Sequence, residues 1–282
     1  MISVTTLSSY LYCKRKLYLQ KVLKLYEPIK APLIKGSIRH KVYENINLAE
    51  EELIKTIKKG TTLEDLMGKY HQKYRELLLE VIKQKKYDLK KFNIPPQDLF
   101  KQTWTLILAE SETRAETVHN FMTKNNIFGD ELWNKLTPKI ESELRVESKT
   151  LGLRGIIDQI EVYPGGFVPI ELKTGKAPKE GVWEGHKIQL IAYALLMEEK
   201  FNTEVKEGFV NYLDTKQKRH IALNPFMRLE VKELIQKVNQ LINSEKIPDF
   251  DKNTNKCTIC GLKEDCYDET KLKQRLEKAK QS

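Results

Sequence analysis

The sequence predicts an α/β protein in which helices flank a β-sheet and one long helical segment interrupts the order. Three observations predict it. Residues 140–223 alternate strand patterns with a helix, and residues 48–136 are charged, poor in glycine and helix-periodic. The β-branched run Leu153–Tyr163 is broken at Pro164-Gly165-Gly166 and resumes at Phe167, which is the pattern of a hairpin. With 282 residues, 40% of them hydrophobic, the chain can bury the core of one large domain.

The formal charge of +10 favours a polyanionic partner, because each neutralised phosphate releases a counterion. No apolar run reaches 18 residues and the N-terminus lacks a basic leader with an apolar stretch behind it, so no membrane segment or signal peptide is expected. A cytoplasmic location follows. Thiols stay reduced there, and four cysteines then suggest metal binding rather than disulfides.

In chain order, residues 5–23 form a helix capped by Thr5 or Thr6, with Leu7, Tyr10, Leu11, Tyr18 and Val22 at helical spacings and Cys13 inside it. A second helix, capped by Ser37, carries Ile38, His40, Val42, Tyr43 and Ile46. The segment 48–136 holds helical patterns over Leu63–Tyr87 and Gln97–Phe128, separated by Pro95-Pro96, and reads as an α-helical insertion or a cap over the site. Ile140–Val146 reads as a strand on which Glu141, Glu143 and Glu147 alternate. After the hairpin a helix from Gly185 to Lys200 places Gln189 and Tyr193 on one face. Strands at Lys206–Leu213 and Arg219–Leu223 follow. A helix then runs from Pro225 to about Lys246, with Leu229, Leu234, Val238 and Leu241 on its apolar stripe. The Lys-rich tail Lys271–Ser282 reads as a frayed helix or a disordered end.

The hairpin carries the chemistry. A turn at Pro164-Gly165 places Asp158 opposite Glu171, about 5 Å apart at Cβ, and strand alternation puts Lys173 on the same face as Glu171. Two carboxylates and an ammonium on one patch suit a divalent metal beside a cationic partner; they also suit an ordinary cross-strand charge set. One of the three glutamates on the preceding strand is a candidate to join the patch. Near the C-terminus, Cys257, Cys260 and Cys266 follow the spacing C-x2-C-x5-C, which leaves Cys13 as the fourth thiolate of a closed site. Spacing leaves zinc and an iron–sulfur cluster both open.

Taken together these stretches resemble the PD-(D/E)xK nuclease superfamily, in its RecB-like branch with a four-cysteine iron–sulfur cluster, and most of all the CRISPR-associated RecB-like exonuclease family. The resemblance rests on SSYLYCKRK with Cys13, GSIRH ending at His40, GIID ending at Asp158, IELKTG with Glu171 and Lys173, QLIAY with Gln189 and Tyr193, and the cysteine triplet. It implies a restriction-endonuclease-like mixed sheet within a single nuclease domain, 1–282. Residues 48–136 are a helical insertion longer than the family pattern, and the cysteine loop 248–268 closes on Cys13. It implies that His40, Asp158, Glu171 and the Leu172 carbonyl bind Mg²⁺ or Mn²⁺, and that Asp158, Glu171 and Lys173 are catalytic. Gln189 and Tyr193 would position DNA, and Cys13, Cys257, Cys260 and Cys266 would hold a [4Fe–4S] cluster. The activity implied is metal-dependent exonucleolysis of DNA, with single-stranded ends preferred, trimming DNA for CRISPR spacer acquisition alongside the integrase complex. Alternatives are a RecB-like end-processing nuclease of recombination or repair, a non-catalytic DNA-end binding module, and a zinc-stapled interaction protein.

Overall fold

A computed structural model of the protein describes residues 1–251 and 253–280. Lys252 of the expected cysteine loop, and Gln281 and Ser282 of the expected tail, lie outside the described residues.

The chain opens with strand β1 (Ile2–Ser3) and helices α1 (Val4–Tyr12) and α2 (Lys14–Lys21). The single helix expected over 5–23 is split at Cys13, whose extended backbone (φ −163°, ψ 110°) ends one helix and caps the next. The Cys13 sulfur accepts the Lys16 amide at 3.4 Å, so a break between helices, not a helix interior, positions this thiol. Helix α3 (Ala31–Lys55) starts well before Ser37 because Pro32 fits its first turn; Ser37 instead donates its hydroxyl to the Ile34 carbonyl within the helix. Gly36 lies in α3 where a Cβ would come 3.3 Å from Thr174 Oγ1, which brings the helix close to the chain leaving the hairpin.

Helices α4 (Leu63–Gln84), α5 (Lys86–Lys91), α6 (Pro96–Asn125) and α7 (Gly129–Lys135) follow. Thr62 and Asp65 form a reciprocal capping box at the start of α4. The expected insertion boundary at 48 is not a structural one, since α3 runs straight through it. Arg114 on α6 binds the buried Glu50 of α3 at 3.0 Å, and Tyr70 on α4 donates to the same carboxylate, so the three helices share one buried ionic contact. The segment packs against α3 in one shared core, and among the described residues it lines neither of the two cavities at the site.

Strands β2 (Lys139–Ser148), β3 (Leu153–Tyr163) and β4 (Gly166–Lys173), helix α8 (Glu184–Phe201), strands β5 (Glu207–Tyr212) and β6 (Gln217–Ala222), and helix α9 (Pro225–Ile242) complete the core. Helix α9 stops short of Lys246, and its Leu229 is exposed rather than part of the apolar stripe. Short helices α10 (Asn255–Thr258) and α11 (Lys263–Tyr267) carry Cys257 and Cys266, with Cys260 in the connection between them, and α12 (Glu269–Lys280) gives the tail a helical course anchored by buried Leu272.

The six strands form one mixed sheet in the order β1-β3-β4-β5-β6, with β2 on the other edge of β3. This mixed sheet between helices is the restriction-endonuclease-like α/β architecture that the sequence predicts. One core joins Ile170 and Leu172 of β4 to α3, α4, α6 and α7. A second joins Ile157 and Ile160 of β3 to α1, α8 and α9. A smaller third core packs Tyr18 and Leu19 of α2 against Leu262 and Leu272, tying the chain ends together.

Candidate active site

The hairpin folds in the register that a turn at Pro164-Gly165 dictates, with Tyr163 paired to Gly166 and Gln159 to Ile170. One step further the two strands part. Instead of a ladder bond, the Leu172 amide donates to Asp158 Oδ2 at 2.8 Å. On the same edge of β3 the parallel partner β1 pairs only with Leu153 and Arg154, so the edge is unpaired between β1 and β4. Into that gap the residues of several elements converge.

Alternation along β4 sends Ile170 and Leu172 into the core beside α3, and therefore Glu171 and Lys173 to the other face. Glu171 is only 4% exposed, and Lys173 Nζ reaches its Oε1 at 2.6 Å. Glu171 Oε2 is buried without a hydrogen-bond partner. Burial and the Asp158 charge push the Glu171 carboxyl up to about 7, against the pull of Lys173. On the opposite edge of β3, Glu143 of β2 stands across from Asp158 between the pairs Ser142–Gln159 and Leu144–Ile157. Its backbone is left-handed, φ 55°, a conformation that costs a residue with a Cβ about 1–3 kcal/mol. Burial and then the Asp158 charge raise its carboxyl too. Glu143, Asp158 and Glu171 thus stand at one level on three adjacent strands.

His40, from α3, completes the group: its Nδ1 lies 3.2 Å from Asp158 Oδ1. Burial of the ring opposes a charge there, but the hydrogen bond and charge of Asp158, aided by Glu171, outweigh it and raise the imidazole. One ligand atom from each of His40, Glu143 and Asp158 lies within 4.8 Å of the other two. Three crowded carboxylates, two of them pushed toward protonation, and an orphaned buried oxygen are a charge excess that a divalent cation relieves, so the donor set fits such an ion.

All six residues that the sequence singles out around the hairpin, His40, Asp158, Glu171, Lys173, Gln189 and Tyr193, line one cavity of about 770 Å³. Leu172 lies buried between two of them, its amide held by Asp158. Tyr193 packs so closely over β3 that a Cβ on Gly155 would come within 2.5 Å of its ring, which is why that strand position is glycine. Glu143 is the member that strand alternation alone leaves open, because Glu141, Glu143 and Glu147 share a face. The signal was in the turn: pairing Ser148 with Leu153 across it, by the same counting used for the other hairpin, brings Glu143 opposite Asp158.

At the far end of α1, Cys13, Cys257, Cys260 and Cys266 line one pocket, all four as free thiols. Arg15 lies across it: its Nε donates to Cys266 Sγ at 3.2 Å, its remaining nitrogens bond the Pro248 and Cys266 carbonyls, and its guanidinium stacks 4.0 Å from Phe250. Burial raises the Cys266 thiol; Arg15 works against it, while Cys13 and Cys260 add to it. Four soft donors on one pocket, with N–H groups aimed at two of the sulfurs, suit a thiolate-bound metal centre.

A family model for the PD-(D/E)XK nuclease superfamily matches residues 1–267. A CRISPR-associated exonuclease Cas4/endonuclease Cas1 fusion of Leptospira interrogans is 30% identical over 152 residues, covering 50% of this chain and 28% of its own. A CRISPR-associated exonuclease Cas4 of Rhodospirillum rubrum is 26% identical over 43% of this chain and 36% of its own. The DNA replication ATP-dependent helicase/nuclease DNA2 of Bos taurus is 25% identical over 86% of this chain and 22% of its own. The chain therefore spans about a third or less of the length of each of these relatives. Among the described residues no helix is long and apolar enough to cross a membrane.

Proposed function

The chain belongs to the PD-(D/E)XK nuclease superfamily, and from that premise we propose that it is a divalent-metal-dependent deoxyribonuclease that trims single-stranded DNA ends in the cytoplasm. The observation that carries the reading is the convergence of His40, Glu143 and Asp158 beside a buried Glu171 whose Oε2 has no partner. His40, Asp158, Glu171 and the Leu172 carbonyl would hold Mg²⁺ or Mn²⁺, with Glu143 as a further ligand. Such an ion supplies water activation and neutralisation of the phosphate. Lys173, now paired with Glu171, would donate from Nζ to the attacking water or a phosphoryl oxygen once that carboxylate is engaged elsewhere. Gln189 and Tyr193, one turn apart on α8, would hold the DNA backbone against the hairpin.

Cys13, Cys257, Cys260 and Cys266 would hold a [4Fe–4S] cluster that staples the chain ends. The Cas4 relatives support end trimming ahead of CRISPR spacer acquisition, in company with a Cas1-type integrase. A second reading, end processing in replication or repair, is favoured by the DNA2 match, which extends over 86% of this chain.

The test is digestion of end-labelled single- and double-stranded DNA by wild type and by Asp158→Ala, Glu171→Ala and Lys173→Ala. Progressive shortening of single strands is expected with Mn²⁺ and not with EDTA. Each substitution should cost more than about 100-fold, since even the outer partners of metal ligands are worth about 10–100-fold. Undiminished cleavage by all three variants would overturn the reading. DNA binding without metal-dependent cleavage would instead support a DNA-end binding module.

A further inference from the structure

Lys173 and Gln189 do not close the catalytic cavity; they partition it from a second one. Together with Thr5 they line both the cavity that holds His40, Asp158 and Glu171 and a further cavity of about 930 Å³ that runs between α1 and the N-terminal end of α8 toward the cysteine pocket. A polynucleotide whose scissile phosphate lies against Asp158, Glu171 and Lys173 must continue on both sides of that phosphate. The second cavity is the space available to one of those continuations.

Its walls differ from those of the first. Trp183 and Tyr12, 51% and 39% exposed, offer aromatic faces, and the lysines Lys16 and Lys256 lie over the Tyr12 ring at 5.4 and 5.3 Å. Trp183 is half in solvent yet fixed: its Nε1 donates to the Lys176 carbonyl at 3.0 Å, and its backbone N–H donates to the Tyr212 hydroxyl at 3.1 Å. That hydroxyl also lies 3.1 Å from His186 Nδ1, a contact in which either atom can donate. Burial and the nearby Lys173 push the His186 pKa down to about 4, so a neutral imidazole stands in the wall one turn before Gln189. An exposed indole held in fixed orientation, hydroxyls from Ser8 and Ser9, and a neutral imidazole form a surface for stacked, unpaired bases rather than for a duplex, whose bases already stack on each other.

We propose that the cavity beyond Lys173 binds the single-stranded nucleotides that flank the scissile phosphate, with Trp183 as a base-stacking platform and His186 as a hydrogen-bonding group toward the strand. The assignment rests on the nuclease reading and gives it a physical source of single-strand preference.

The experiment measures binding of a labelled oligothymidylate, a duplex containing it, and an abasic strand of equal length by fluorescence anisotropy, in an Asp158→Ala background that binds without cutting. Adding Trp183→Ala should weaken oligothymidylate binding by about 5- to 100-fold, the range for losing one base–aromatic stack, and leave duplex and abasic strands within about two-fold. Trp183→Phe should restore most of the loss, and Phe226→Ala, an exposed aromatic on α9 outside both cavities, should change nothing. Equal weakening on the abasic strand, no weakening on oligothymidylate, or no recovery with phenylalanine would overturn the proposal. A wild type that fails to cleave in Mn²⁺ while binding still depends on Trp183 would refute the nuclease reading and leave the strand site standing. Cleavage with no dependence on Trp183 would refute only the strand site.

Discussion

At the carboxylate site, Glu143, Asp158 and Glu171 stand on three neighbouring strands whose register the sheet enforces, and His40 joins them from a 25-residue helix. At the cysteine site, Cys13 meets Cys257, Cys260 and Cys266 from the opposite end of the chain, with no sheet between them. What links those ends in the protein is a small apolar core and a few long-range bonds: Arg15 to the Pro248 and Cys266 carbonyls, Lys256 Nζ to the Tyr12 carbonyl at 2.6 Å, and Glu27 accepting from the Gly261 amide at 2.7 Å. The first site is held by backbone and keeps its shape when a ligand is removed. The second would owe its shape to a metal centre held by its thiols.

The largest expected effect sharpens that contrast. Cys260→Ser should release the bound metal and lower Tm by roughly 5–15 °C, a few kcal/mol at about 2–4 °C per kcal/mol for a chain near this size. Asp158→Ala should leave Tm within a few degrees. Metal content by mass spectrometry and calorimetric melting check both; equal losses of Tm in the two variants would erase the distinction between the sites.

A smaller effect concerns protons. The Glu171 carboxyl is raised from 4.5 to about 7 in the folded protein. The folded state therefore binds that proton more tightly than the unfolded state, and metal-free protein should lose stability as pH rises from about 4.5 to 7, then level off. A divalent ion competes with the same proton, so the rise in Tm caused by Mn²⁺ should grow through that window and be full above it. Glu171→Gln should flatten both trends. A Mn²⁺ effect independent of pH in wild type would contradict the assignment of Glu171 as the proton's site.

The same contrast explains what was legible in the sequence. The hairpin could be read because its two strands are joined by a two-residue turn, so counting outward from Pro164-Gly165 fixes which residues face each other. His40 was visible only through resemblance, since nothing local relates the α3 helix to Asp158. The split at Cys13 was hidden because helical periodicity continues through it: Leu7 and Leu11 precede it and Tyr18 follows at compatible spacings. The break comes instead from a thiol that caps the next helix. The packing of 48–136 against α3 was equally hidden. A charged helical segment between two core elements reads the same whichever element it packs on, and the buried Arg114–Glu50 contact pairs residues 64 apart. Trp183 and His186 escaped because their roles depend on the Tyr212 hydroxyl, a partner on a different strand.

The central claim is that His40, Glu143, Asp158 and Glu171 form one divalent-metal site. Crystals grown with Mn²⁺ test it most directly, through the anomalous scattering of the ion. The account predicts a peak between these side chains within about 2.0–2.6 Å of carboxylate oxygens and the imidazole, absent in Asp158→Ala. Protein that cleaves DNA in Mn²⁺ but shows its only anomalous peak away from Asp158 and Glu171 would contradict it.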